Sequence, residues 1–347
     1  MHVMFEQIGV QFPIVQAPMA GVMDAALVIA VCKAGGLGSL PCAMLTPDMV
    51  ESEVNRIRAA TSNPFNLNFF CHNMPEVSDK ALSEWSALFS DDYQKYDVDQ
   101  GSINYGSVRR PFSAEFADVV KRLKPAVVSF HFGLPSAELV ATVRESGALI
   151  FSSATTAAEA IWLEEQGVDA IISQGVEAGG HRGIFLTDDL SSQLPTKQLL
   201  QEIVERVKVP VIAAGGIGSA QEVKELIDFG ASAVQVGTSF LLCDEAKTST
   251  LHREALVAST APNTVITNIF SGRPARGIVN GMVENLGAWN PLAPSFPYAT
   301  PASAPLRSAA EAMSCADYTP LWSGTNTAGC KAISAEVLTR DLAAELD

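Results

Sequence analysis

A repeated alternation constrains this chain more than any other feature. Short apolar runs alternate with longer stretches of helical spacing, at 13–19, 37–42, 65–70, 126–133, 148–154, 170–175, 210–217 and 233–241. The runs are β-branched and apolar without clean alternation, as strands covered on both faces require. The stretches between them carry helix punctuation. In "TPDMVESEVNRIRAAT" Thr46 can cap and Pro47 sits in the first turn, while "DAALVIAVCKAGG" is closed by Gly35. Eight βα units in a row specify an α/β fold, a (β/α)8 TIM barrel, more readily than an open sheet.

A chain of 347 residues with 48% hydrophobic and 18% charged residues can bury a large core, and this length suits a barrel. The net charge of −15 argues against nucleic acid or an anionic membrane as partner. Membrane association is not expected either, since no run approaches the roughly 18 apolar residues of a spanning helix. Glu6 and Gln11 interrupt the N-terminal apolar stretch, so no signal peptide is expected. Six scattered cysteines without a CxxC pair suggest reduced thiols and a cytoplasmic protein. Neither they nor the five histidines show metal-ligand spacing, so no metal is expected.

Two segments break the rhythm. Residues 73–112 are polar and aromatic with weak periodicity, and 246–327 include "PLAPSFPYATPASAPL", too rich in proline for a regular helix or strand. Long excursions of this kind carry function or disorder. Tyr105, Tyr298 and Tyr318 make a lid or substrate pocket the expected use. The organisation read from the sequence is a barrel over 1–245 with an excursion at 73–112. A smaller substrate-covering part follows at 246–327, built from excursions after strands 3 and 8. An amphipathic helix within 328–347 packs on the barrel exterior.

Active sites of such barrels lie at the C-terminal strand ends, with phosphate held after the seventh and eighth strands. Those ends read "AAGGIGS" (213–219) and "QVGTSF" (235–240), where glycine N–H groups and the Thr238 hydroxyl can hold an anion. In "QAPMAG" Pro18 has no N–H, so Met19 supplies the first free donor beyond a surface on which a flat ring can rest. Asn68 and Gln174 are amides at strand ends and suit the alternating carbonyl and N–H edge of a flavin. In "SQGVEAGGHRG" (173–183), Gly179 and Gly180 directly precede His181. Two glycines there suggest a large group lying against the backbone with an imidazole aimed at it. His131 points towards the barrel mouth and His72 is a weaker candidate, whereas His2 and His252 look peripheral. Glu177 is expected to orient the loop, and Arg182 to lie at the surface or lock the loop. Arg273 and Arg276 are expected to steady the phosphate side or tie the excursion to the barrel.

"PIVQAPMAGVMD", "FNLNFF", "QGVEAGGHRG", "AAGGIG", "QVGTSF" and "FSGRPARGIVN", in this order, resemble the nitronate monooxygenase family, within its EAGGHRG-containing class. The likeness runs to about residue 281 and is weakest over 73–112 and 285–325. It implies an FMN oxidoreductase that converts alkyl nitronates and O2 to carbonyl compounds and nitrite. By the same resemblance, Met19, Asn68 and Gln174 would contact the flavin ring and ribityl chain. Gly179, Gly180, Gly215, Gly216, Gln235, Val236, Gly237 and Thr238 would hold ribityl and phosphate. His181 would be the active-site histidine, with His131 and Tyr298 in the substrate pocket. The alternative on the same scaffold is an FMN-dependent NAD(P)H reductase acting on an enoyl-acyl-carrier protein or a quinone. A monomer or homodimer is expected.

Overall fold

The computed structural model describes residues 3–106 and 108–346, so His2 lies outside the described residues. Its strands are β1 (Ile14–Gln16), β2 (Gly38–Pro41), β3 (Phe65–Phe70), β4 (Val127–His131), β5 (Leu149–Ala154) and β6 (Ala170–Gln174). They continue with β7 (Gly180–His181), β8 (Val211–Ala214), β9 (Ala233–Val236), β10 (Thr264–Thr267) and β11 (Ala275–Ile278). Eight of them form one parallel sheet in the order β1-β9-β8-β6-β5-β4-β3-β2. A parallel bridge between Val15 and Leu37 joins its two edges, giving the expected TIM barrel.

Helices follow the strands because polar caps sit where each strand hands over. Thr46, Ser136, Thr156 and Ser219 each accept a backbone N–H of the turn they begin, satisfying donors that a bare helix start leaves open. The helix Ala335–Leu342 packs outside the barrel against the helix Ala25–Ala34. Phe5, from the short N-terminal helix Val3–Gln7, is fully buried against Val15, Leu37 and Phe151.

The two segments outside the rhythm meet each other. Trp85 and Tyr93, from helices Asp79–Ala87 and Ser90–Lys95, and Phe89 between them share a core with Phe270, Met282 and Leu306. Their polar atoms are satisfied there: Trp85 Nε1 donates to Ala299 O at 3.0 Å and the Tyr93 hydroxyl to Ala302 O at 2.7 Å.

The proline-rich stretch departs from expectation, for Thr300–Ala312 is a regular helix. Pro301 lies in its first turn, where an N–H has no acceptor within the helix. Pro305 forfeits one further bond and the helix continues, held by Ala302, Leu306 and Ala310 in the core. The tyrosines also differ from expectation. Tyr318 is buried against Tyr96, with ring centroids 5.7 Å apart, and the Tyr105 hydroxyl reaches Leu82 O at 3.5 Å. Tyr318 belongs to this second core, and Tyr105 sits beside it against the helix Asp79–Ala87.

A three-stranded antiparallel sheet, β10-β11-β7, stitches the excursion to the barrel. Ala275 pairs with His181 and Arg276 with Gly180, so the histidine loop is itself a strand of this small sheet.

Candidate active site

One cavity opens at the C-terminal mouth of the barrel. Met19, Asn68 and Gln174 line it from β1, β3 and β6, and His131 lines it from β4. Gly179, Gly180 and His181 line it from the loop after β6. Gly215 and Gly216 follow β8, while Gln235, Val236, Gly237 and Thr238 lie at the end of β9. Seven separate stretches of sequence thus converge on one space, as barrel closure dictates. Tyr298 lines neither this cavity nor a second one beside it. Phe296, two residues earlier, instead stands against His181, with ring centroids 5.4 Å apart.

The glycine pair answers to the chain before any ligand. A Cβ on Gly179 would lie 2.5 Å from the Ser323–Gly324 backbone, so the excursion can cross here only over a glycine. Gly180 has φ +73°, a left-handed conformation that L side chains rarely adopt. Arg182 is fully buried and locks the turn; it is not at the surface. It donates to Gln174 O at 2.7 Å, Gly175 O at 2.8 Å and Gln193 Oε1 at 2.9 Å. Burial lowers its pKa to about 9, which leaves it charged at neutral pH. Glu177 accepts from Thr196 N and Oγ1, at 2.8 and 2.7 Å, and so orients the loop. Arg276 donates to Val176 O at 2.8 Å, and the Arg273 guanidinium sits 4.0 Å over the Phe132 ring while donating to Ile184 O. Both arginines tie the excursion to the barrel.

His181 stands in an aromatic enclosure of Phe70, Phe132, Phe296 and Trp322, with centroids 5.4–6.1 Å away. Its Nε2 is 2.9 Å from Ser271 Oγ, and its Nδ1 has no hydrogen-bond partner among the described residues. Burial holds its pKa well below the ordinary histidine value, and the nearby Arg109, His131, Arg273 and His72 push it the same way.

His131 is occupied at both ring nitrogens. Its Nε2 lies 3.1 Å from His181 O and must carry the proton, so Nδ1 accepts from Ser153 Oγ at 3.0 Å. The ring therefore supports the His181 backbone. Burial lowers its pKa to about 4. Gln174 does the same job from below, donating to His181 O at 3.0 Å and accepting Gly183 N at 2.7 Å.

Several polar atoms remain open to a ligand. Gln235 Oε1 is buried without a partner among the described residues. Met19 N faces only Met23 Sδ at 3.4 Å, a weak acceptor. Asn68 spends its Nδ2 on Ser129 Oγ at 2.9 Å.

The cavity also gathers residues that sequence reasoning missed. Trp322 and Asn326 come from the excursion, and Asn326 Nδ2 pins the glycine turn by donating to Gly216 O at 3.0 Å. His252 is buried in the wall, where burial lowers its pKa to about 4. Arg109 also lines the cavity. The "RRPF" that ends the first excursion was the available signal for Arg109; His252, one polar residue on a mixed helix, had none.

Such a mouth, with a histidine and glycine turns set around one cavity at the strand ends, is the ligand site of an α/β-barrel protein. The chain belongs to the nitronate monooxygenase family, whose model matches residues 2–345. A nitronate monooxygenase from Paraburkholderia phytofirmans is 38% identical, covering 98% of this chain and 93% of its own. One from Pseudomonas aeruginosa is 35% identical, covering 98% and 97%. The structure of nitroalkane oxidase from Streptomyces ansochromogenes superposes with a TM-score of 0.90 at 36% identity, covering 99% and 97%. FabK from Thermotoga maritima shares the fold at a TM-score of 0.70 and 22% identity, covering 99% of this chain and 94% of its own.

Proposed function

We propose that this protein is an FMN-dependent nitronate monooxygenase, oxidising alkyl nitronates with O2 to carbonyl compounds and nitrite. Family membership supports the reaction, and the family is one of flavoenzymes. The observation that carries the assignment is His181, held in a neutral aromatic enclosure within the same cavity as every residue expected to hold the cofactor.

The donor set fits a flavin mononucleotide. The open Met19 N–H suits a ring nitrogen or carbonyl, and the orphaned Gln235 Oε1 suits a ribityl hydroxyl. The turns at Gly215–Gly216 and Gly237–Thr238 suit a single phosphate. When bound, the flavin supplies the redox chemistry between nitronate and O2.

The chain's own part is orientation, dryness and one proton position. Phe70, Phe132, Phe296 and Trp322 keep water from the reacting carbon. The Ser271 hydroxyl sets the His181 tautomer. If it donates to Nε2, the proton lies on Nδ1 and can be donated to a nitronate oxygen. If it accepts from Nε2, the Nδ1 lone pair can take the α-proton of a neutral nitroalkane. The depressed pKa makes the second task uphill, because an imidazolium is disfavoured there. Preformed nitronates are thus the better substrates. The six cysteines are unpaired, which suits a reducing cytoplasm.

Denaturing the yellow protein should release FMN. Ethylnitronate should bleach it anaerobically and yield nitrite in air. Bleaching by NADPH but not by ethylnitronate would overturn the reading in favour of a reductase.

A further inference from the structure

A second cavity of about 400 Å³ lies beside the first. Its walls come from the loop after β2, the end of the first excursion and the helix Thr300–Ala312, through Met44, Val108, Thr300 and Ala304. One residue, Arg109, lines both spaces. Among the described residues it is the one Lys, Arg, Asp or Glu side chain in either wall.

Arg109 has no ion-pair partner among the described residues. Its guanidinium reaches only Met44 Sδ, at 3.8 Å. Its position is nonetheless secured through the backbone. Arg109 O takes a hydrogen bond from His72 Nε2 at 3.3 Å, and Phe112 N donates to Phe70 O at 2.8 Å, so the segment is anchored on the end of β3. A guanidinium held at the edge of a cavity, with no acid to meet it, is placed to receive an anion.

The anion is not the cofactor phosphate. The phosphate turns follow β8 and β9, and β3 lies four strands from β8 and three from β9 around the closed eight-stranded barrel. Arg109 therefore faces the mouth from the opposite side. A chain of net charge −15 repels an anionic substrate at long range, so a local cation is needed where the substrate docks.

We propose that Arg109 is the specificity residue that selects the anionic nitronate over its neutral nitroalkane, through a charge-assisted hydrogen bond reached by way of the second cavity. The proposal rests on the reading of this cavity as the nitronate site. It adds a residue that acts on the charge of the substrate, where His181 acts on its proton.

The test uses the full-length, flavin-loaded protein as wild type, Arg109→Met, Arg109→Gln and Arg109→Lys. Loss of the charge should raise KM for ethylnitronate about ten- to a hundredfold and move kcat less, leaving KM for nitroethane unchanged. Gln keeps donors without charge and should fail like Met, whereas Lys should restore most of the binding. Nitrate, a planar anion that undergoes no turnover, gives a second readout by equilibrium dialysis. Its dissociation constant should rise at least tenfold in the Met and Gln variants. Equal KM changes for both substrates, or nitrate binding that survives loss of the charge, would overturn the proposal. If the wild type fails to consume ethylnitronate, the assigned reaction falls, and the nitrate measurement still decides the role of Arg109.

Discussion

His181 is held in its neutral form first by burial, and then by Arg109, His131, Arg273 and His72 nearby, which all act against a positive charge. Replacing it by asparagine keeps a hydrogen-bond donor and removes the base. His181→Asn should lose about 10²–10⁴-fold of the activity on neutral nitroethane and keep a substantial part on ethylnitronate. Steady-state rates for the two substrates, with the flavin spectrum as control, decide this; equal losses in a flavin-loaded variant would remove His181 from the base role. The pH dependence carries the same logic. A folded pKa below the ordinary value leaves the imidazole neutral above about pH 6.5, and protonation follows only as pH falls further. Initial rates on preformed ethylnitronate should therefore show no histidine inflection between about pH 6.5 and 8.5. An inflection near 7 that vanishes in His181→Asn would contradict the neutral assignment.

The histidine loop is held as an element. β7 pairs with β11, Arg182 and Gln174 tie it from beneath, and the Ser323–Gly324 backbone crosses it at Gly179. A methyl group at Gly179 has only backbone to push against, and backbone gives way by breaking its own ladder. Gly179→Ala should reduce flavin retention and lower turnover on every substrate alike, unlike the selective loss at His181. Flavin-to-protein absorbance ratios after gel filtration would show it, and unchanged loading would contradict it. Helices Asp79–Ala87 and Thr300–Ala312 join the two excursions through Trp85, which is fully buried and donates to Ala299 O. Trp85→Ala should cost about 3–5 kcal/mol of stability. Urea unfolding followed by tryptophan fluorescence and by flavin release measures that loss, and a change under about 1 kcal/mol would contradict this packing role.

On the scale of the whole molecule, burial of neutral histidines couples stability to pH. His72, His131 and His252 each have folded pKa values near 4, mainly through burial. The unfolded chain binds protons at these groups near pH 6.5 while the folded one does not, so their contribution is intact above 6.5. It is lost progressively as pH falls from about 6.5 towards 4. The melting temperature should fall across that interval, and His72→Phe should flatten part of the decline. A melting temperature that rises on acidification from 7 to 5 would contradict this. Among the described residues no helix is long and apolar enough to cross a membrane.

The eight strands, their order and the face that carries the site were legible in the sequence, because they rest on local signals. Apolar runs, Ser/Thr caps and glycine stops act within about ten residues, and right-handed βα connection allows them one closed arrangement. The glycine turns at 215–216 and 237–238 and the His181 loop were legible for the same reason. What only the tertiary structure decided were contacts between distant stretches. "PASAPLRSAAEA" reads as a helix breaker by itself and is a helix because the Trp85 core takes one face of it. Gly179 is glycine on account of Ser323–Gly324, nearly 150 residues later in the chain. Arg109 and His252 reach the cavity because packing of the two excursions carries them there. Local periodicity has no means of encoding such meetings; they follow from which apolar faces remain unburied once the barrel has closed.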